Sequence, residues 1–324
     1  MAPLAGYTDI PYRHSMRRLG CRYAFTEMID AASIAYGNLK TTRLMERAPD
    51  EQWLGVQLVG SNPDTISRAV EVLNQRQYDV LDFNLGCPVT KVAKKGAGAA
   101  LAKNIEQALT LFALIKKLSR FPVSAKIRIL HETDPDPTVE LARGLAAAGA
   151  VAVTVHGRVK SAFYSGPVFY DIIAAVREAL PVQVVANGGI MGAASCRELR
   201  EETGCDCVMV ARGAMGNPWL FRELSDPENF LPPTPQELCD ELEKHIREMI
   251  AYYGEQLALK IARKMILDYL KGRGFPGTIK STVSHVSTNE QFCDRMKELR
   301  QGPSSGYRTW LKACPDADRQ LLMD

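Results

Sequence analysis

The stretch "FNLGCPVTKVAKKGAGAAL", residues 83–101, sets one cysteine between an apolar run and a loop rich in glycine and lysine. Cys87 lies three residues beyond Asn84, with Gly86 and Pro88 on either side, and Lys91, Lys94 and Lys95 make the following loop electropositive. A thiol beside positive charge is expected to have a lowered pKa and to be reactive. Such a group can act as a nucleophile or as a proton donor. The lysine- and glycine-rich stretch reads as a flexible rim.

Other polar side chains fall at the ends of apolar runs: Gln57, Lys126 with Arg128, His156 with Arg158, Asn187, and Arg212. "VVANGGIM" and "VMVARGAMGNPWLF" end two successive runs, and together they suit a phosphate. Gly188 and Gly189 admit a close backbone approach, and Arg212 offers a charge-assisted fork. A phosphate there implies a nucleotide or cofactor lying across the same end. Lys126 and His156 would then face the polar edge of a flavin, where a cation stabilises the reduced, anionic ring. Gln57 could read the carbonyl and N–H edge of that ring, and the backbone of "APLAG" could lie against it.

These residues need elements that bring run ends together. "YAFTE", "WLGVQLVG", "YDVLDFN", "PVSAKIRI", "AVAVTVHG", "PVQVVANG" and "CDCVMVARG" are nearly continuous in apolar and β-branched residues, as strands buried on both faces are. Helix-like segments such as "NPDTISRAVEVLNQ" and "NIEQALTLFALIKKL" separate them, which requires parallel pairing with right-handed crossovers. "MAPLAG" reads as the last residues of an eighth strand, the earlier part of which the sequence lacks. Eight units predict a (β/α)8 TIM barrel, whose strand ends share one mouth. A doubly wound open sheet would disperse the same residues.

The 324 residues, 46 % hydrophobic and 24 % charged with a net charge of +3, describe an ordinary globular chain. No run reaches the length a spanning helix needs. Eight dispersed cysteines without a CxxC pair suit a reduced, cytoplasmic protein. Cys205 and Cys207 sit in an apolar run, so no metal site is expected.

Composition changes at the Pro-rich stretch 225–238, dividing a barrel domain at 1–225 from a helical bundle domain at 235–314. "TPQELCDELEKHIREMIAYYG" carries a Thr234 cap, Pro235 at the first helical position, and an apolar stripe. Residues 257–312 hold 11 Lys and Arg against 4 Asp and Glu, an excess that suits a polyanion.

"APLAGYTDIPYR", "VQLVG", "FNLGCPVTKVAKKGAGAAL", "AKIR", "VHGR", "VVANGGI" and "ARGAMGNPW" resemble, in this order, the tRNA-dihydrouridine synthases, and the tail is most similar to the bacterial B-type branch. The resemblance implies an FMN-dependent oxidoreductase, reduced by NADPH, that saturates the C5=C6 bond of uridines in the tRNA D-loop. It implies that Cys87 gives the proton to C5 while hydride reaches C6. Pro3, Leu4, Ala5, Gln57, Lys126, His156, Asn187, Gly188, Gly189, Ala211 and Arg212 would hold FMN. Asn84, Lys91, Arg128 and Arg158 would meet the substrate, and the helical domain would grip tRNA, with the protein a monomer. On the residues alone, a reductase of free pyrimidines or other enone-like molecules on the same barrel is the alternative.

Overall fold

A computed structural model describes residues 1–303; residues 304–314 of the expected helical domain lie outside the described residues. The chain divides into two compact units. The first comprises residues 1–10, 22–190 and 194–211. The second comprises residues 11–21, 191–193 and 212 onward.

Seven parallel strands form the first unit: β1 (Ala24–Asp30), β2 (Leu54–Val59), β3 (Val80–Leu85), β4 (Val123–Arg128), β5 (Ala152–His156), β6 (Gln183–Asn187) and β7 (Cys207–Met209). Their order in the sheet is their order in the chain, with a helix-bearing crossover between each pair of neighbours. All six pairings are parallel. Sequential order of this kind is the signature of a TIM barrel rather than of a doubly wound sheet, where the order reverses at a switch point. The first two residues take the eighth position. Ala2 N–H donates to the Val210 carbonyl at 2.7 Å, and the Met1 ammonium donates to the Tyr23 carbonyl at 2.6 Å. This short segment thereby bridges the residue after β7 to the residue before β1.

Alternation along the strands separates two sets of side chains. Leu81, Phe83, Leu85, Ala125, Ile127, Val153, Val155, Val184 and Ala186 form one buried apolar set. The other parity is polar towards the C-terminal ends: Asp82 and Asn84 after Val80 in β3; Ser124, Lys126 and Arg128 throughout β4; Thr154 and His156 in β5; Asn187 after Val185 in β6. Ala2, Phe25, Val80 and Met209 make an apolar cluster at the base of this second set, with Trp53, Val185 and Ala211 packed on it. Polar chemistry thus occupies the upper layers of one barrel face, in register: Gln57 lies beside Asp82, Asn84 beside Lys126, Arg128 beside His156, and His156 beside Asn187.

The second unit is helical. Helix Pro235–Tyr253 begins with the expected Thr234 cap, completed as a capping box by Glu237. It is followed by helices Glu255–Leu270, Gly277–Val283 and Asn289–Leu299. Residues 11–18 of the early helix Ile10–Arg18 belong to this unit, which the sequence reading did not anticipate. Arg18 forms ion pairs of 2.7 Å with both Glu241 and Glu248, and Ser15 donates to Glu241 at 2.7 Å. Tyr12 and Tyr269 both meet the buried His245 ring edge-on or tilted. The basic surplus of this unit is only partly free to act. Arg295, Lys297 and Arg300 are in ion pairs, and Arg273 is buried on the carbonyls of Gly216 and Tyr269. Lys260 and Lys271 are exposed. Among the described residues no helix is long and apolar enough to cross a membrane.

Candidate active site

The site is built at the C-terminal ends of β2 to β6. Cys87 follows β3 directly, and its backbone is held from three sides. Its N–H donates to Asn84 Oδ1 at 2.8 Å, sharing that oxygen with Gly86 N–H at 3.1 Å. Its carbonyl accepts from Ala99 N–H at 3.1 Å. Gly98, at φ +60°, packs so closely that a Cβ there would lie 2.9 Å from the Cys87 carbonyl oxygen and 3.1 Å from its Cβ. Only glycine combines that left-handed backbone with that approach.

The stretch read as a flexible rim is folded. Thr90–Ala93 forms one helical turn and Gly98–Lys103 a 3₁₀ helix, with Ala97, Ala99, Leu101 and Ala102 buried. Small residues let this segment pack down, so its glycines mark close approach rather than mobility. Lys91 is exposed, and Lys95 pairs with Asp30 at 3.1 Å.

The expected lowering of the Cys87 pKa is corrected by the structure. Burial pushes the thiol up, outweighing a backbone hydrogen bond at Val89 and the charge of Arg128. The three loop lysines do not figure among these influences. A half-buried thiol of this kind stays protonated at neutral pH, which suits a proton donor and disfavours a resting thiolate nucleophile.

Beneath Asn84 lies a layer of buried amides and one carboxylate. Asn84 Nδ2 donates to Gln57 Oε1 at 2.7 Å, and Gln57 Nε2 donates to Asp82 Oδ2 at 2.7 Å. Ser124 Oγ donates to Asp82 Oδ1 at 2.6 Å. Gln57 is fully buried, so in this geometry it stands one layer below the mouth instead of at its surface. Burial raises the Asp82 carboxyl above its ordinary range, opposed by the Gln57 and Ser124 hydrogen bonds and the Lys126 charge. Asp82 and Ser124 escaped the sequence reading. The available signal was a charged residue inside "VLDFNL" at the same parity as Asn84.

On the adjoining strands, Asn187 collects three partners. Its Oδ1 accepts from Lys126 Nζ at 2.8 Å and lies 2.9 Å from His156 Nδ1, while its Nδ2 donates to the Met209 carbonyl at 2.7 Å. The Met209 carbonyl can only accept, which fixes the carboxamide with its oxygen towards Lys126 and His156. His156 Nδ1 therefore carries the proton, and Nε2 is a lone-pair acceptor. That Nε2 is buried and has no partner within the protein. Burial, with the charges of Lys126 and Arg128, brings the imidazole down to about 2. The same two causes, burial first and Arg128 second, bring Lys126 down to about 7, against the pull of Asp82.

Arg128 was expected to meet substrate, but its contacts describe a clamp. It is 4 % exposed, and its guanidinium donates to the carbonyls of Gly86 at 2.8 Å and Val159 at 3.3 Å. It thereby ties the Cys87 turn to the loop after β5. The Tyr164 ring lies over it at 5.3 Å, and Arg158 Nε donates to the Gly166 carbonyl at 2.9 Å in that loop. Gly188 and Gly189 have left-handed φ values of 134° and 71° and face Val168. Pro3 and Leu4 are half-buried and Ala5 is exposed, while Ala211 closes the first unit and the exposed Arg212 opens the second.

The profile of the dihydrouridine synthase (Dus) family matches residues 1–302. The chain belongs to the dihydrouridine synthase family. It is therefore a flavin-dependent oxidoreductase. It is 34 % identical over 314 residues to tRNA-dihydrouridine synthase B of Pseudomonas aeruginosa, covering 94 % of each chain. It is 32 % identical over 276 residues to the Pasteurella multocida protein of the same name, covering 84 % of this chain and 83 % of that one. A probable tRNA-dihydrouridine synthase of Rhodobacter capsulatus is 34 % identical over 289 residues, 85 % of this chain and 87 % of its own. Within this dihydrouridine synthase the donor set suits a flavin: a lysine amine, a neutral imidazole with an unpartnered acceptor, and a pair of glycines at left-handed φ all sit at neighbouring strand ends.

Proposed function

We propose that this enzyme reduces the C5=C6 bond of uridines in the tRNA D-loop, with FMN as resident cofactor, NADPH as reductant and Cys87 as the acid. The observation that carries the reading is the state of Cys87. Its thiol is kept protonated by burial and its backbone is pinned at the same end of the barrel as the Lys126–Asn187–His156 cluster.

Lys126, His156, Asn187, Gly188, Gly189 and Ala211 would hold FMN, with Pro3 to Ala5 and Gln57 completing its surroundings and Arg212 next along the chain for its phosphate. Hydride is the chemistry that FMN supplies when bound. Everything else falls to the chain. Lys126, brought down to about 7, is charged in a share of the molecules near neutral pH, and an anion developing beside it favours the charged form. His156 Nε2 can accept a hydrogen bond from a bound group and, being far from protonation at neutral pH, adds no charge. Asn84 uses its oxygen on the Cys87 turn, leaving one N–H for a uracil carbonyl. Arg158 and Lys91 would bear on the RNA. Cys87 Sγ–H transfers its proton to C5 as C6 receives hydride, the resulting thiolate is reprotonated from solvent, and dihydrouridine leaves. The exposed Lys260 and Lys271 of the helical unit would contact phosphates, and the target base must leave its stack, at a cost of a few kcal/mol.

The test is nucleoside mass spectrometry of tRNA incubated with enzyme and NADPH, alongside flavin absorbance. Cys87→Ala should retain FMN and its reduction by NADPH but form dihydrouridine at least about 100-fold more slowly, the usual scale of a lost general acid. Dihydrouridine formation by that variant at the parent rate overturns the acid assignment. A parent enzyme that reduces free uracil but not tRNA overturns the substrate.

A further inference from the structure

We propose that Asp82 is a positioning residue for Cys87, acting through a hydrogen-bond chain of fixed polarity that runs Asp82–Gln57–Asn84 to the Cys87 backbone. The proposal rests on the reading of Cys87 as the working thiol, but the chain is observable without the reaction.

The two ends of the chain fix its direction. At the lower end, Asp82 is 1 % exposed and its carboxylate can only accept, from Gln57 at 2.7 Å and Ser124 at 2.6 Å. At the upper end, Gly86 and Cys87 present two backbone N–H groups that can only donate, at 3.1 and 2.8 Å from Asn84 Oδ1. Between them stand two carboxamides, each able to sit either way round. With Gln57 Nε2 on Asp82, its Oε1 must take Asn84 Nδ2, observed at 2.7 Å, and Asn84 must turn its oxygen to the Cys87 turn. Reversal of both amides would set the Gln57 oxygen against the carboxylate and the Asn84 amino group against two N–H donors. No intermediate order satisfies every group, and an unsatisfied polar group at this depth is disfavoured.

Asp82 therefore anchors, at the lower end, the same order that the Cys87 turn requires at the upper end, and does so from two residues along the strand face without touching anything that reacts. The charged groups facing it and the thiol are Lys126, which favours the carboxylate, and Arg128, which lies near Cys87. Both are cations that only donate, so neither can accept from Gln57 Nε2 in place of Asp82. Ser124 Oγ serves the second carboxylate oxygen and can also accept a hydrogen bond, which leaves room for a neutral amide at position 82.

The test uses the full-length flavoprotein and reads the alkylation rate of Cys87 by iodoacetamide across pH, site by site in a mass spectrometer, with the exposed Cys207 as internal reference. Asp82→Leu leaves the lower end without an acceptor. It should change the Cys87 rate or its pH midpoint by about tenfold or one unit, with Cys207 unmoved and the thermal unfolding transition still cooperative. Asp82→Asn should restore the parent profile to within about twofold, because its oxygen can accept from Gln57 while its amino group donates to Ser124. Gln57→Met cuts the chain at the middle and should act on Cys87 as Asp82→Leu does. The double variant should then be no worse than either single one, since one chain cannot be broken twice. A Cys87 profile within twofold of the parent in either folded variant, additive effects, or failure of Asp82→Asn to restore the profile overturns the proposal. Should Asp82→Leu not fold, Gln57→Met and Asp82→Asn decide it. Failure of the Cys87 reading itself shows elsewhere, as Cys87→Ala retaining dihydrouridine formation.

Discussion

Lys126 Nζ donates to Asn187 Oδ1 over 2.8 Å, and the same oxygen receives His156 Nδ1 at 2.9 Å. One carboxamide thus orients the cation of β4 and the imidazole of β5 from its place on β6. Asn187→Leu removes the acceptor for both and the donor for the Met209 carbonyl. Each buried polar group left unsatisfied costs about 1–3 kcal/mol, so urea unfolding should show a loss of at least that size. Asn187→Asp should keep the packing and raise the pKa of Lys126, moving the alkaline limb of its chemical modification to higher pH.

Acid should weaken the fold through two histidines. His156 is held down to about 2 and His245 to about 3, both first of all by burial. An unfolded histidine titrates near 6.5. Above that pH neither state is protonated and the stability is fully present. Below it the unfolded chain takes up protons that the native state refuses, and stability falls until the native values are reached. Each histidine should contribute a slope of about 1.4 kcal/mol per pH unit in that window. His245→Phe, in the helical unit, should flatten the urea-derived stability between pH 6 and pH 4 by one such slope; an unchanged slope counts against the assignment.

Gly98→Ala should disturb Cys87 without removing any polar group. The new Cβ would meet the Cys87 carbonyl at 2.9 Å on a backbone at φ +60°. Strain of this kind costs about 1–3 kcal/mol. The variant should lose both stability in thermal unfolding and the rate of dihydrouridine formation, while binding flavin as the parent does.

In the helical unit, Arg18 is a polar tie between the early helix and helix Pro235–Tyr253. It holds Glu241 and Glu248 at 2.7 Å each in a partly buried setting. Arg18→Met keeps the apolar stem and removes the cation that both carboxylates share. Denaturant unfolding should show a loss of about 1–3 kcal/mol, greater at pH 7 than at pH 4, where the carboxylates can protonate.

The barrel was legible because polar residues interrupt apolar strands at one end only. Gln57, Asn84, Lys126, His156 and Asn187 each close such a run, and register brings them to one mouth. Depth was not legible. A sequence marks Gln57 as polar at a strand end, but not that Asp82 lies beneath it and uses its amide. Charge was misread for a related reason: Lys91, Lys94 and Lys95 are near Cys87 in the chain, whereas its pKa answers to burial, Val89 and Arg128. The glycines and alanines of 96–102 read as slack because composition cannot tell small residues that pack from small residues that move. Helix Ile10–Arg18 was passed over, since its partners Glu241 and Glu248 are more than 220 residues away.

The depressed value of Lys126, about 7, also makes the mouth of the barrel a proton acceptor by linkage. Near neutral pH a share of the molecules holds this amine uncharged. Any anion that settles beside it favours the charged form, so binding must draw protons from the medium. The heat of binding will then depend on the ionisation enthalpy of the buffer, and affinity for the anion will weaken as pH rises past neutrality. The site is in that sense a half-loaded counterion, completed by the ligand it receives.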